Sequence, residues 1–181
     1  GNLLNRVLGL VTKLASGVTP DIGELGPLEV ELVAHVEKAS ANAKAAWLDI
    51  APNRALELTW SIASLANQYV DRAAPWAEAK KGDRARVGTI LATLLEVLRM
   101  LSGQFWPAMP TKSAEMRAQL GLPPVVPQLG IDQFPVRFAP RPKGESLTPG
   151  TPLFPTYDDE ATKALLTKLM PDTVADPAAT A

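Results

Sequence analysis

The placement of proline constrains the fold of this chain more than any other feature of its sequence. Only four of the 17 prolines precede Pro107, and they are far enough apart to leave room for helices of several turns. From Leu122 to Pro155, by contrast, proline recurs every few residues. Because proline has no backbone N–H and its ring clashes with the preceding turn, that segment is not regular helix. The sequence therefore predicts a helical amino-terminal part followed by a proline-rich arm.

Apolar residues in the amino-terminal part recur at the spacing of one face of a helix. The predicted helices, in chain order, run from the chain start to Gly17, from about Pro27 to Leu48, from about Asn53 to Ala73, from the N-cap at Asp83 to Gly103, and from about Thr111 to Leu120. Asn53 is expected to cap the third helix and Pro75 to stop it. Gly82 and Asp83 indicate a helix stop followed by a new N-cap.

The arm contains two further local patterns. Phe134, Val136 and Phe138 alternate as in a short strand, which Pro135 restricts to a sheet edge. Apolar positions predict a short helix at about 158–170, and Pro171–Ala181 is expected to be mobile. The prediction is an all-α, antiparallel helical bundle at 1–121, with an extended C-terminal arm at 122–181 lying over it.

Composition excludes several functions. Without cysteine there is no disulfide and no thiolate metal site, and the single histidine, His35, is expected to be structural. We predict neither a catalytic nor a metal site. No apolar run is long enough to cross a membrane and no signal sequence opens the chain, so a cytoplasmic protein is expected. The net charge of -1 implies that any RNA recognition is local rather than driven by a broad positive field.

The chain start suggests a fragment. There is no initiator methionine, and the first helix begins directly after Gly1. The sequence is therefore expected to be one piece of a longer polypeptide.

Two groups of residues supply the chemistry needed to hold unpaired RNA bases. Trp76 follows Pro75, where a helix breaks, and offers a flat aromatic face. Asn2 and Arg6 lie four residues apart on the polar face of the first helix and offer amide and guanidinium groups. Such side chains stack on a base and hydrogen-bond the edges of its neighbours. Taken singly, the polar pair also fits a solvated helix face.

Tryptophan is also a common core residue. Trp76 is therefore one of four candidates for a core anchor, together with Trp47, Trp60 and Trp106.

The succession of short motifs resembles one family. These motifs, in chain order, are Gly1–Arg6, Ala55–Glu57, Ala66–Tyr69, Ala74–Trp76, Pro107–Pro110, Gln119–Gly121 and Pro152–Pro155. The order is similar to that of the methionyl-tRNA synthetases, from the start of the anticodon-binding domain into the C-terminal extension. The resemblance covers the chain to about Pro155, and Asn-x-Tyr followed by Pro-Trp is its most specific element. One departure is that Phe105–Pro110 stands where the family has Pro-Phe-Met-Pro or similar.

The resemblance implies a tRNA-binding role. It implies that Trp76 stacks on the first base of the CAU anticodon of tRNA(Met), and that Asn2 and Arg6 contact anticodon bases. The residues expected around this site are Asn67, Tyr69 and Pro75, and the possible contacts to loop phosphates are Lys80, Lys81, Arg84 and Arg86. That basic cluster fits a solvated helix start equally well.

The resemblance also implies a missing partner domain. The parent enzyme joins methionine to its tRNA using ATP with magnesium, on a catalytic domain of the same polypeptide. Neither of the family's nucleotide-binding motifs occurs in this chain, which therefore is expected to carry no catalytic site and no cofactor of its own. The alternatives are the equivalent bundle of a leucyl, isoleucyl, valyl or cysteinyl enzyme, and a helical scaffold that binds another polypeptide and no RNA.

Overall fold

The computed structural model describes residues 1–155 and 158–169. Its helices, in chain order, are α1 Asn2–Leu14, α2 Pro27–Leu48, α3 Pro52–Ala73, α4 Pro75–Lys81, α5 Arg84–Gln104, α6 Pro110–Gln119, a 3-10 helix Pro127–Gln133, and α7 Asp159–Leu169. Within the described residues the only β pairing is an isolated bridge between Val18 and Ser146. The predicted all-α class is confirmed.

Helix α5 forms the centre of the bundle. It packs against α1, α2, α3, α4 and α6, and almost every residue from Val87 to Leu101 is buried. Ile90, Leu94 and Leu98 have no solvent exposure or almost none. A helix that is apolar on all sides is stable only when other helices enclose it. Helices α1, α2, α3, α4 and α6 therefore form a shell around α5.

Proline sets the start of several helices. Helices α2, α3, α4 and α6 each begin at a proline, which has no N–H to leave unpaired and already holds the helical φ. The predicted cap at Asn53 is wrong for this reason: α3 begins at Pro52, and Asn53 is its second residue. The predicted stop at Gly82 is confirmed, with φ at 83°. Asp83 caps α5 as predicted, its side chain accepting the Arg86 backbone N–H at 2.9 Å.

Helix α4 was not predicted. Helix α3 ends at Ala73 as expected, and Ala74 then takes a left-handed conformation with φ 41° and ψ 61°. Pro75 follows as the first residue of a new helix rather than only as the end of the old one. One proline thus both stops α3 and starts α4.

The predicted strand at Phe134–Phe138 is wrong. The backbone N–H of Phe138 donates to the Glu37 carboxylate at 3.0 Å, and that of Ala139 donates to the Glu96 carboxylate at 2.8 Å. With these donors satisfied by side chains of α2 and α5, and with no N–H at Pro135, the segment has no ladder to form. The arm instead runs over the bundle as an extended chain, interrupted by the 3-10 helix.

The arm is anchored to the bundle. Leu147 and Leu153 belong to the core, and Phe134 is buried. Backbone bonds join Thr19 N–H to the Glu145 carbonyl at 2.8 Å and Leu147 N–H to the Gly17 carbonyl at 3.1 Å. The division of the chain at residue 121 stays a prediction. Helix α7 lies within the predicted 158–170, while Met170 and the expected mobile end Pro171–Ala181 lie outside the described residues.

Hydropathy places no helix of the described chain in a membrane: none combines the length and the apolar character needed to span one.

Candidate nucleic-acid interface

Trp76 is the second residue of α4 and projects from the bundle. Trp76 is 40% exposed, whereas the preceding Pro75 is buried. The left-handed turn at Ala74 redirects the chain between α3 and α4. The buried proline fixes the start of α4 while the indole beside it stays accessible. The structure therefore does not support a role for Trp76 as a core anchor.

Arg6 lies beside this indole. Its guanidinium carbon is 5.5 Å from the centroid of the Trp76 ring, within the range of a cation–π contact. The same guanidinium forms an ion pair with Asp71 of α3, at 2.5 Å between Nη2 and Oδ1. Because Arg6 is on α1 and Trp76 on α4, two separate segments meet at this point. The contact brings together two of the three residues predicted to bind bases.

Asn2 lies on the same helix as Arg6. It is exposed, and four residues of α-helix place it about 6 Å along the axis from Arg6. Asn2 borders a shallow pocket whose other residues are Gly1, Asn5, Pro152, Phe154 and Pro155. Asn2, Arg6 and Trp76 thus follow one side of the bundle.

The other tryptophans differ in their surroundings. Trp60 is 52% exposed, but its ring packs against Phe105 with centroids 4.7 Å apart. Trp47 and Trp106 are half-buried. Within the described residues, Trp76 alone combines an exposed indole with a neighbouring cation.

The predicted basic cluster divides into two groups. Lys80 and Arg84 are exposed and form no ion pair with any described residue, and Lys81 pairs with Glu78 at 2.8 Å on the surface. Arg86, by contrast, is bound to Glu29 by two hydrogen bonds of 2.7 and 2.8 Å. A buried carboxylate needs such a partner, so the Arg86 guanidinium is not free to meet a phosphate. We therefore leave Arg86 out of the proposed phosphate contacts.

Comparison with known proteins identifies the family of the chain. Residues 19–170 match the family model described as the anticodon binding domain of methionyl tRNA ligase. The chain belongs to this family. It is 34% identical to a methionine–tRNA ligase of Streptococcus pyogenes, over 89% of this chain and 24% of that protein. It is 31% identical to the Clostridium perfringens enzyme, over 94% of this chain and 26% of that protein.

Solved structures of the family have the same fold. Methionyl-tRNA synthetase of Mycobacterium tuberculosis in its free state superposes with a TM-score of 0.74 at 30% identity, over 87% of this chain and 32% of that one. The same enzyme in complex with methionyl-adenylate gives a TM-score of 0.73 at 29% identity, over 86% and 30%. The chain therefore spans about a quarter to a third of the length of these methionyl-tRNA ligases.

The residues expected around Trp76 have separate roles in this anticodon-binding domain. Asn67 donates from its side-chain amide to the Ala63 carbonyl at 2.9 Å, one turn earlier in α3. Tyr69 is buried, and its hydroxyl donates to Glu29. Burial and this hydrogen bond raise the pKa of Tyr69, so the hydroxyl keeps its proton. The Tyr69 hydroxyl is therefore bound to a buried carboxylate and not to Trp76, while Pro75 fixes the start of α4.

Glu29 was not predicted, although the sequence carries a signal for it. It lies three and seven residues before Leu32 and Val36, so it belongs to the apolar stripe of α2. Burial opposes its ionisation, but hydrogen bonds from Arg86 and Tyr69 outweigh this and hold the pKa of the carboxyl below its usual range. A carboxylate on an apolar stripe indicates a buried partner of opposite charge.

Two other expectations concern catalytic groups. The ring Nε2 of His35 lies 3.0 Å from the Ser61 hydroxyl, between α2 and α3. In the part of the chain that the structure describes, no three His, Cys, Asp or Glu side chains come together as a metal site.

Proposed function

We propose that this chain recognises the anticodon loop of tRNA(Met), as the anticodon-binding domain of a methionine–tRNA ligase. The observation that carries the proposal is the exposed Trp76 indole, with the Arg6 guanidinium 5.5 Å from its centre. An unpaired base stacks on such a ring whatever its identity. The tryptophan thus supplies affinity, and its polar neighbours must supply the choice of base.

Arg6 and Asn2 are the residues that we propose select the base. A guanidinium has five N–H donors in a planar fork, and the ion pair with Asp71 uses only one nitrogen. Asp71 therefore orients the fork and leaves donors for a base edge. Asn2, one turn away, offers both a donor and an acceptor. These two side chains can hydrogen-bond to base edges, whose donors and acceptors differ from one base to another, whereas stacking does not distinguish the bases.

Lys80, Lys81 and Arg84 are proposed to meet the phosphates of the loop. All three are exposed at the end of α4 and the start of α5, on the segment that carries Trp76. The surface pair between Lys81 and Glu78 is worth little and is exchangeable for a phosphate. Such contacts position the RNA without reading its sequence.

The proposed parent enzyme is a longer, cytoplasmic polypeptide. In it, a catalytic domain joins methionine to the tRNA with ATP and magnesium while this domain holds the anticodon. Methionyl-adenylate in a related synthetase supports this, as that intermediate forms from methionine and ATP. The family match favours this function over the leucyl, isoleucyl, valyl and cysteinyl alternatives and over a protein-binding scaffold.

Replacing Trp76 with alanine tests the proposal. We expect the affinity of this chain for an RNA hairpin with a CAU loop to fall by about 5- to 150-fold, because stacking contributes about 1–3 kcal/mol per base. Fluorescence anisotropy of a labelled hairpin measures this. Since Trp76 is exposed, the Tm should change little.

The matched control is Trp60→Ala. Trp60 is also exposed, but it lies about 20 Å along α3 from its end at Ala73. Trp60 borders a pocket with Gly1 and Phe154, on the Asn2 side of the site, but its ring packs on Phe105, so Trp60→Ala should lower hairpin affinity much less than Trp76→Ala does. Equal losses in the two variants would contradict the assignment of Trp76.

Replacing Arg6 with glutamine tests the choice of base. The ratio of affinities for the CAU hairpin and a hairpin with one altered anticodon base should fall by at least about tenfold, because a hydrogen bond from a charged donor contributes about 1.5–3 kcal/mol. Lys13→Gln removes an exposed charge from the same helix and should leave the ratio unchanged. A ratio unaffected by Arg6→Gln would remove Arg6 from the base contacts.

A further inference from the structure

One buried carboxylate joins three helix ends. Glu29 lies in the first turn of α2 and its side chain has no solvent exposure. It accepts the hydroxyl of Tyr69, from the last two turns of α3, and both terminal nitrogens of Arg86, from the first turn of α5. Its fourth donor is the backbone N–H of Gly26 at 2.8 Å. Each carboxylate oxygen therefore has two donors, and the group is fully satisfied.

Helix α4 spans the gap between two of these partners. Tyr69 lies four residues before the end of α3, and Arg86 is the third residue of α5. Between them the chain makes two left-handed turns, at Ala74 and at Gly82, and α4 lies between these turns. The Arg86 backbone N–H also donates to Asp83, which joins the second turn to the same residue. Glu29 thus holds the chain on both sides of the segment that presents Trp76.

Helix α4 needs such support because it is short. It has 7 residues, and isolated helices shorter than about 12–15 residues are marginal in water. Ala74, at φ 41°, is in a conformation that a non-glycine residue keeps only when its surroundings impose it. The orientation of α4 therefore depends on its ends and on its packing against α5 and α1.

We propose that Glu29 is the positioning residue of the anticodon site, acting through Tyr69 and Arg86 on the two turns that bound α4. It touches no RNA. It sets the angle at which α4 presents the Trp76 indole to Arg6. The consequence for RNA binding rests on the proposed function, while the consequence for Trp76 does not.

Tyr69→Phe tests the proposal with the least change. It removes one donor to Glu29 and keeps the buried ring, while the charge pair with Arg86 remains. The protein is labelled with 5-fluorotryptophan, and Trp76→Phe assigns the Trp76 signal in the fluorine NMR spectrum. We expect Tyr69→Phe to shift or split the Trp76 signal. The Trp47 signal, about 27 Å along α2 from Glu29, should not move.

The matched control is Ile62→Val. Ile62 is buried in the same helix, two turns before Tyr69, and this change makes only a small cavity. It should leave the Trp76 signal unchanged. Affinity for the CAU hairpin is expected to fall severalfold in Tyr69→Phe, because a displaced indole stacks less well on a base, and to stay unchanged in Ile62→Val; the loss should not exceed the roughly 5- to 150-fold expected when the indole is removed.

The outcomes separate the two proposals. An unchanged Trp76 signal in Tyr69→Phe overturns the role of Glu29, whatever the affinity, and leaves packing against α5 and α1 to orient α4. A signal that moves equally in Ile62→Val also overturns it. A signal that moves in Tyr69→Phe alone supports it, and if the unmodified chain then fails to bind the hairpin, only the proposed function is lost.

Discussion

Replacing Arg86 with methionine is expected to lower the free energy of unfolding by about 3–5 kcal/mol at neutral pH. Methionine keeps most of the aliphatic stem but removes the two hydrogen bonds and the charge that compensate Glu29. The carboxylate, whose side chain has no solvent exposure, keeps only the Tyr69 hydroxyl and the Gly26 N–H. Urea unfolding at pH 7 measures the change.

The matched control is Arg84→Met, two residues earlier on the same helix. Arg84 is exposed and forms no ion pair with any described residue, so its loss should change stability by no more than about 0.5 kcal/mol. Similar losses in the two variants would show that the Glu29–Arg86 pair does not carry this stability.

Lowering the pH should reduce the difference in the free energy of unfolding between the Arg86→Met variant and the unmodified chain. In the unmodified chain the pKa of Glu29 lies below its ordinary value of 4.5, so the stability from this group is present above pH 4.5 and is lost as the pH falls through the lowered pKa. Without Arg86 the buried carboxyl loses two of the hydrogen bonds that lower its pKa together with the guanidinium charge, so burial, which raises the pKa, is opposed only by Tyr69 and Gly26 and the pKa rises. The variant therefore regains stability by protonation as the pH falls. A difference that is constant from pH 7 to pH 4 would contradict this.

Replacing Gly121 with alanine is expected to cost about 2–5 kcal/mol, from left-handed strain and from overpacking together. Gly121 ends α6 with φ at 66°, and a Cβ there would lie 2.5 Å from the Ser146 carbonyl oxygen. That oxygen belongs to the backbone of the arm, next to the buried Leu147. The arm must therefore shift. Urea unfolding gives the cost, and hydrogen exchange at the Leu147 amide reports the release of the arm.

Gly144→Ala isolates the contribution of the contact. Gly144 has φ at 89°, but nothing lies within 4 Å of its added Cβ. The Gly144→Ala variant should therefore lose only about 1–2 kcal/mol of the free energy of unfolding, from the left-handed strain of alanine at that position. Equal costs at Gly121 and Gly144 would mean that the arm is not held against the end of α6.

The helices were predictable because the rules that form them are local. The apolar stripe of α5 from Val87 to Leu101, the stop at Gly82 and the cap at Asp83 each depend on residues within a few positions. Helix α4 was missed because Pro75 indicates the end of α3 as well as the start of a new helix, and the stop at Gly82 does not by itself show where a helix begins. The strand at Phe134–Phe138 was wrong because its donors meet Glu37 and Glu96, which are distant in sequence.

The candidate site was predictable in its residue types but not in its geometry. Resemblance to a family pointed to Asn2, Arg6 and Trp76, and their roles in binding stay predictions. No local pattern indicated that Arg6 lies over the indole and pairs with Asp71, since 65 residues separate that pair in the chain. Glu29, 57 residues from Arg86, was missed for the same reason.

By itself, the sequence determined where helices form and where proline prevents them, together with the family resemblance, because backbone preference and apolar periodicity act over a few residues. Only the tertiary structure decided which charges become buried pairs and which remain available to a ligand. Arg84 and Arg86 are two residues apart, yet one is exposed and the other is bound to Glu29. The packing of α2 against α5 buries the Glu29 carboxylate, and a carboxylate removed from water requires a cation as its partner within the fold. Arg86 forms that pair.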